Sequence, residues 1–261
     1  MRRLRRLGQK RSFRWSEGAC VLEGPDLVAA ALDANAPIEA IYVDEEHVAR
    51  LGDLLEAAAR RDVRVYVLAS SVLERVADAT SPQPVLATAA LVVSDLDDIA
   101  PEGLILVLHD VRDPGNAGTL IRSADATGTT GVVFSGHSVD PFNPKTLRAT
   151  AGSIFHLPVV VAELDETLRS FSERGASTYA TVVRGGDDHR SIDYRRASVV
   201  VIGNEAEGLS EDAVALCDGR ISIAMAGASE SLNAGVAGSL IAFESMWRRQ
   251  STGEGPITPS L

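Results

Sequence analysis

The feature that most constrains this chain is an alternation that begins near residue 104. Runs rich in Val, Ile and Leu (104–108, 131–134, 158–161, 177–183, 198–202 and 220–223) are separated by stretches of helical periodicity (116–127, 144–151, 165–174, 210–216 and 232–249). Strands apolar along their whole length are buried on both faces, and strand–helix alternation builds a mostly parallel sheet with helices on both faces. The fold class is therefore α/β. Ligands of such sheets bind beyond the carboxyl ends of the strands, so the chemistry is to be sought in the loops that follow them.

A smaller α/β unit precedes this one. Residues 25–34 have helical spacing with Pro25 at an early position, 38–43 alternate as a strand, 46–61 read as helix and 63–68 as strand. Ser70 or Ser71 caps a short helix to Ala77, and 84–93 suit a buried strand. The domain reading is thus a first unit over 1–95, an acidic linker at 96–103, a second unit over 104–250 and a disordered Gly/Pro/Ser/Thr tail at 251–261. A length of 261 residues accommodates both units.

The net charge of −11 argues against general polyanion binding, but it is unevenly spread. Residues 1–95 hold 12 Lys+Arg against 14 Asp+Glu, and seven of those cations (Arg2, Arg3, Arg5, Arg6, Lys10, Arg11, Arg14) fall within residues 1–14. This segment is either a basic arm able to neutralise phosphates or a solubilising disordered tail. No apolar stretch follows it, so it does not read as a secretory signal, and no run approaches the roughly 20 apolar residues of a membrane helix. Cys20 and Cys217 form no C-x-x-C pattern and read as free thiols in a reducing cytoplasm. His47, His109, His137, His156 and His189 have no ligand spacing, and no metal is expected.

Three loops concentrate glycine and polar residues. In the first, Asp113-Pro-Gly-Asn-Ala-Gly-Thr-Leu-Ile-Arg122, Asn116 opens a helix that carries Arg122 one and a half turns later. By itself this is also what a capped helix with a solvated arginine looks like. In the second, the run 198–202 enters Gly203-Asn204-Glu205; a glycine there lets a ligand approach the main chain, while Glu205 could equally be a capping carboxylate. In the third, Ser231, Leu232 and Asn233 stand at the start of a helix with small residues at Ala234, Gly235, Ala237 and Gly238, suited either to a site or to close packing.

Taken together, the stretches Asp-Pro-Gly-Asn-Ala-Gly-Thr-Leu-Ile-Arg-Ser-Ala, Ile-Gly-Asn-Glu-Ala-Glu-Gly-Leu and Glu-Ser-Leu-Asn resemble the three motifs of the SpoU (TrmH-type) RNA 2′-O-methyltransferases of the SPOUT superfamily, in order and spacing. The segment from Arg11-Ser-Phe-Arg to Val21-Leu-Glu-Gly-Pro-Asp-Leu-Val28 is similar to the ribosomal-protein-like substrate-binding domain of members acting on ribosomal RNA. The resemblance implies an S-adenosylmethionine pocket in a C-terminal trefoil knot, completed where two subunits of a homodimer meet. By position it implies cofactor contacts at Thr181, Gly203, Ile223 and Leu232, and catalytic-site positions at Asn116, Arg122, Glu205, Ser231 and Asn233. Arg122 would be the base that relieves the ribose hydroxyl of its proton, or a clamp on the RNA phosphate; the high pKa of arginine favours the clamp. Where many relatives follow the third motif with valine and a polar residue, this chain has Ala234-Gly235-Val236.

The expected function is 2′-O-methylation of RNA in the cytoplasm, with ribosomal RNA as substrate, transfer RNA as the runner-up, and no membrane association. A catalytically silent RNA-binding factor is the alternative of another class, opposed by the intact five catalytic-site positions. A nucleotide or hydride-transfer enzyme is disfavoured because G-x-G-x-x-G and the P-loop motif are missing.

Overall fold

A computed structural model describes residues 1–75 and 83–251. The expected end of the short helix at Ala77 and the tail at 252–261 lie outside the described residues. The chain divides into two compact units, the first made of 1–92 and 140–156, the second of 93–139 and 157–261.

The first unit begins with helices α1 (Arg2–Gln9) and α2 (Arg11–Glu17), followed by β1 (Ala19–Glu23), α3 (Pro25–Asp33), β2 (Ile38–Asp44), α4 (Gly52–Arg60), β3 (Arg64–Leu68), α5 (Ser70–Glu74) and β4 (Val85–Ala90). The strands form one sheet in the order β1-β4-β2-β3. β4 runs antiparallel to both its neighbours, and β3 is parallel to β2 at one edge. Two expectations change here. Residues 1–14 are folded, because α1 buries Leu4 and Leu7 against Ala19, Val21, Leu73 and Leu86, an apolar pairing that the density of arginines conceals. The helix expected over 46–61 is a 3-10 turn, Glu45–Arg50, and then α4, since the side chain of Asp44 caps the turn and Gly52 starts a new helix.

The first unit also takes in residues 140–156. Arg14, only 2 % exposed, donates through Nε to Asp140 Oδ2 at 2.7 Å and through Nη1 to the carbonyl of Leu7 at 2.7 Å. Trp15 Nε1 donates to the other Asp140 oxygen at 3.3 Å, and its ring meets Phe142 edge-on at 6.1 Å. Arg148 pairs with Glu23. A buried guanidinium needs such a full set of acceptors, because an uncompensated buried charge costs several kcal/mol.

The second unit contains β5 (Leu104–His109), α6 (Pro114–Thr127), β6 (Gly131–Ser135), β7 (Val159–Val161), α8 (Leu164–Glu173), β8 (Ser177–Thr181), β9 (Asp187–Asp188), β10 (Ser198–Ile202), α9 (Glu211–Ala215), β11 (Gly219–Ser222) and α10 (Ala234–Gln250). The remaining helix in chain order, α7 (Pro144–Thr150), belongs to the first unit. The seven strands follow the order β7-β6-β5-β10-β8-β11-β9, and every pairing is parallel. This is the α/β sheet that the apolar runs required. Alternate residues of each strand face opposite sides. On one side Ile105, Val107, Val133, Val160, Val199 and Val201 pack with Leu164, Leu168 and Phe171 of α8 and Ala213 of α9. The other side receives α6 and α10, which pack on each other so closely that a Cβ on Gly238 would stand 2.2 Å from Leu120 Cδ2. The stretch 96–103 contains a 3-10 turn closed by a reciprocal Asp95–Asp98 cap, and Ile99 is fully buried in the same core.

Candidate functional site: a cleft at the carboxyl ends of the parallel strands

Each of the three loops is shaped by its own polar residues. Asp113, ahead of Pro114 at the first helical position, caps α6 by accepting the Asn116 N–H at 2.8 Å. Helix α6 therefore starts two residues before Asn116, whose side chain is freed from capping. The Asn204 amide holds the loop after β10: its oxygen accepts the N–H groups of Ala206 and Glu207 at 2.9 and 3.1 Å, and its nitrogen donates to the Asp110 carbonyl at 2.9 Å. Gly203 permits this fold-back, since a Cβ there would lie 2.6 Å from the Gly208 carbonyl carbon and 2.7 Å from Leu209 N. In the third loop Asn233 caps α10 by accepting the Val236 N–H at 3.2 Å, so Ser231 and Leu232 precede the helix instead of opening it.

The second and third loops, with the carboxyl ends of β8 and β11, enclose a cavity of ≈ 200 Å³ lined by residues that include Thr181, Gly203, Glu205, Ile223, Ser231 and Leu232. All four residues expected to touch the cofactor are on its wall, together with two of the five expected in catalysis. A third joins through a hydrogen bond: Asn116 Nδ2 donates to Glu205 Oε1 at 2.8 Å, and the Asp113 N–H points at the same oxygen at 3.4 Å. Asn233 acts at one remove, as the cap that sets the course of the loop carrying Ser231 and Leu232. Arg122 is not on the wall; it is exposed on α6, and its side chain makes no hydrogen bond or ion pair among the described residues.

Several further residues complete the wall. Ile202, Ala237 and Ile241 supply apolar surface from β10 and α10, Met225 supplies it from the loop after β11, and Glu230 adds a second carboxylate. Ile202 and Glu230 open the second and third motifs and Ala237 is among the small residues of the third loop, whereas Ile241 and Met225 are indistinguishable from core residues in sequence. The departure at Ala234-Gly235-Val236 has a packing reason. A Cβ on Gly235 would lie 3.3 Å from Asn116 Oδ1 and 3.4 Å from Asn116 Cα, so the glycine admits the first turn of α6 beside that of α10.

The wall suits a ligand with an apolar, flat portion and a positive centre. Ile223, Leu232 and Ile241 offer hydrophobic contact, main chain near Gly203 offers polar groups, and Glu205 and Glu230 offer negative charge. Among the described residues no group of three or more His, Cys, Asp or Glu side chains could hold a metal ion.

A parallel α/β sheet with this cleft defines a SpoU-type methyltransferase fold: the chain superposes on the SpoU methyltransferase AviRb from Streptomyces viridochromogenes, solved in complex with AdoMet, with a TM-score of 0.84 at 29% identity, covering 96% of this chain and 97% of that one. The chain belongs to the SpoU rRNA methylase family, whose model matches residues 103–243, and residues 1–87 match the MRM3-like substrate binding domain. It is 30% identical to the Bacillus subtilis 23S rRNA (guanosine(2553)-2′-O)-methyltransferase RlmP, over 85% of this chain and 86% of that protein. It is 37% identical to the 23S rRNA (uridine(2479)-2′-O)-methyltransferase of Streptomyces viridochromogenes, over 69% of this chain and 65% of that protein.

Proposed function

We propose that the protein transfers a methyl group from S-adenosylmethionine to a ribose 2′-hydroxyl of ribosomal RNA, as a homodimer in the cytoplasm. The observation that carries this reading is the meeting of the second and third loops on one cleft, whose wall combines apolar side chains with Glu205 and Glu230, with the first loop tied to it by the hydrogen bond from Asn116 to Glu205. Bound there, S-adenosylmethionine supplies an electrophilic methyl on a cationic sulfur. Thr181, Gly203, Ile223 and Leu232 would hold it, while Glu205 favours the positive charge and is itself oriented by the 2.8 Å hydrogen bond from Asn116. Ser231 would position the substrate hydroxyl at the cleft, and Asn233 would fix its loop.

Arg122 has a different place in this reading. It is exposed, on α6, beside a helix whose residues Val236, Leu240 and Trp247 are exposed apolar side chains at helical spacing. Contiguous exposed apolar surface marks an association site, which supports a dimer in which Arg122 serves the cleft of the partner subunit by gripping the RNA phosphate. The knot and the paired active sites that the family resemblance implies belong to the same reading. No helix among the described residues is long and apolar enough to cross a membrane, and two free cysteines accord with a reducing compartment.

The deciding experiment incubates the protein with methyl-labelled S-adenosylmethionine and either 23S ribosomal RNA or transfer RNA. Label in 2′-O-methylnucleosides of the ribosomal RNA is the expected result. Label in transfer RNA alone would redirect the substrate, and label in neither would refute the transferase reading.

A further inference from the structure

The basic segment 1–14 sorts, once folded, into cations that serve the fold and cations that do not. Arg14 is buried on Asp140. Arg3 bridges Glu17 at 2.9 Å and Glu39 at 2.6 Å, and the Arg6 guanidinium lies 3.7 Å over the Phe13 ring. Arg2 and Arg5 are exposed, and their side chains make no hydrogen bond or ion pair among the described residues. Both line a cavity of ≈ 310 Å³ with Met1, Val72 and Arg75, and the one side-chain hydrogen bond described for Arg75 is to the carbonyl of Ser71. Three guanidinium groups thus converge on one cleft with no carboxylate among its described lining residues, in a chain of net charge −11.

The same face of the sheet carries a second feature. Tyr42 and Leu68 pack on the cluster formed by Leu4, Leu7 and Leu73, which places them on the α1 side. Tyr66 is the partner of Tyr42 in register and alternates with Leu68, so it shares that side. The two tyrosine rings are stacked, with centroids 5.5 Å apart and planes inclined by 16°. Tyr66 is 46 % exposed on β3, the edge strand, with Arg64 two residues before it on the same side. A ring braced from behind and open in front is a surface on which an unpaired base can stack, a mode of recognition that tolerates any base.

We infer that this face of the first unit holds single-stranded RNA, with a phosphate between Arg2, Arg5 and Arg75 and an unstacked base on Tyr66. The inference rests on the RNA-methylating function proposed above and names where its substrate is held away from the cleft. Forked guanidiniums suit phosphate oxygens. The stacked tyrosine selects an unpaired strand over a duplex, whose bases are already stacked.

The test uses the full chain and a fluorescein-labelled 12-nucleotide single-stranded RNA, with affinity followed by anisotropy over a range of salt. Arg2→Gln/Arg5→Gln/Arg75→Gln should weaken binding at least tenfold and flatten the logarithmic salt dependence by about 0.7 for each phosphate no longer neutralised. Tyr66→Ala should weaken it by about tenfold and Tyr66→Phe should restore it, since stacking needs the ring and not the hydroxyl. Arg60→Gln, on the exposed surface of α4, should change nothing. S-adenosylmethionine binding by each variant, measured by calorimetry, reports an intact second unit, and circular dichroism reports an intact first. Should a variant not fold, photocrosslinking of a 4-thiouridine form of the RNA to the unaltered protein gives an independent readout, with the adduct expected in β3. If the unaltered protein methylates RNA while folded variants bind the oligonucleotide at full affinity, or the adduct maps elsewhere, this surface is overturned and the function stands; the face would then suit a protein contact. If the unaltered protein neither binds nor methylates RNA, the functional reading falls and takes this surface with it.

Discussion

Asn116 on α6 and Glu205 in the loop after β10 meet at 2.8 Å, amide nitrogen to carboxylate oxygen, across 89 residues of sequence. The bond joins the first two loops of the cleft and leaves Glu205 with a fixed direction. Hydrogen bonds to charged groups contribute about 1.5–3 kcal/mol. A double-mutant cycle of Asn116→Ala and Glu205→Gln, followed by urea unfolding, should return a coupling energy in that range, and each single variant should lose methyl transfer by more than tenfold. A coupling near zero would mean that the two side chains act independently.

Gly203 gives a steric prediction. A methyl group there meets main-chain atoms of Gly208 and Leu209 at 2.6 and 2.7 Å, and backbone cannot swing aside as a side chain can. Gly203→Ala should therefore displace the loop bearing Glu205 and weaken S-adenosylmethionine binding by at least tenfold in calorimetry. Gly227→Ala, which meets nothing within 4 Å, should bind as the unaltered protein does.

For Arg122, exposed and outside the cavity wall, the expectation is a separation of effects. Arg122→Ala should leave S-adenosylmethionine affinity within about twofold while turnover falls by 10² or more, on the scale of a missing proton-transfer or phosphate-positioning group. In mixed dimers of Arg122→Ala with Glu205→Gln subunits, part of the activity should return if each cleft uses the arginine of its partner. Sedimentation of the active protein as a monomer alone would remove the basis for that complementation.

Removing Arg14 leaves Asp140 charged, 4 % exposed and without its ion-pair partner. Arg14→Met should cost about 3–5 kcal/mol of unfolding free energy. Adding Asp140→Asn should recover at least about 1 kcal/mol, since the amide oxygen still accepts from Trp15 and from the Phe142 N–H while the stranded charge is gone. Thermal unfolding of the two variants decides the matter.

Burial pushes the Cys20 thiol up to about 12 and the Cys217 thiol up to about 11. The thiolate is the reactive form, so neither residue should react with a disulfide reagent at pH 8 within minutes, whereas both should react in urea. The sign for stability follows. Both thiols ionise more readily in the unfolded chain, so their contribution is complete below the unfolded value near 8.5 and is lost as pH rises from there toward 11 and 12.

Much of the second unit was legible because buried parallel strands announce themselves. The run 198–202 coincides with β10, and 104–108 falls one residue short of β5. Helix starts were less so: the periodicity over 232–249 took in Leu232 and Asn233, yet Asn233 is the cap, because an asparagine side chain competes for the first free N–H groups. Of the nine positions named for the site six lie on the cleft wall, four of them (Gly203, Glu205, Ser231 and Leu232) because the second and third family motifs are themselves loops of the cleft, while Asn116, Arg122 and Asn233 stand off it. What escaped is long-range. Nothing local marks Asp140 and Arg148 as partners of Arg14 and Glu23, more than a hundred residues earlier, since an ion pair has no periodicity. The two leucines of α1 were hidden in the same way, outnumbered by their charged neighbours.

The return of residues 140–156 to the first unit has a consequence for biosynthesis. A nascent chain that has released residues 1–92 carries Arg14 without Asp140 and Glu23 without Arg148. At a translation rate of about 5–20 residues per second, that gap lasts on the order of several seconds while the intervening strands emerge. The amino-terminal part of this protein is therefore made first and finished late. Chaperones that hold exposed apolar surface have their opening in that interval, and a nonsense mutation ahead of codon 140 leaves a fragment missing part of its own ion-pair network.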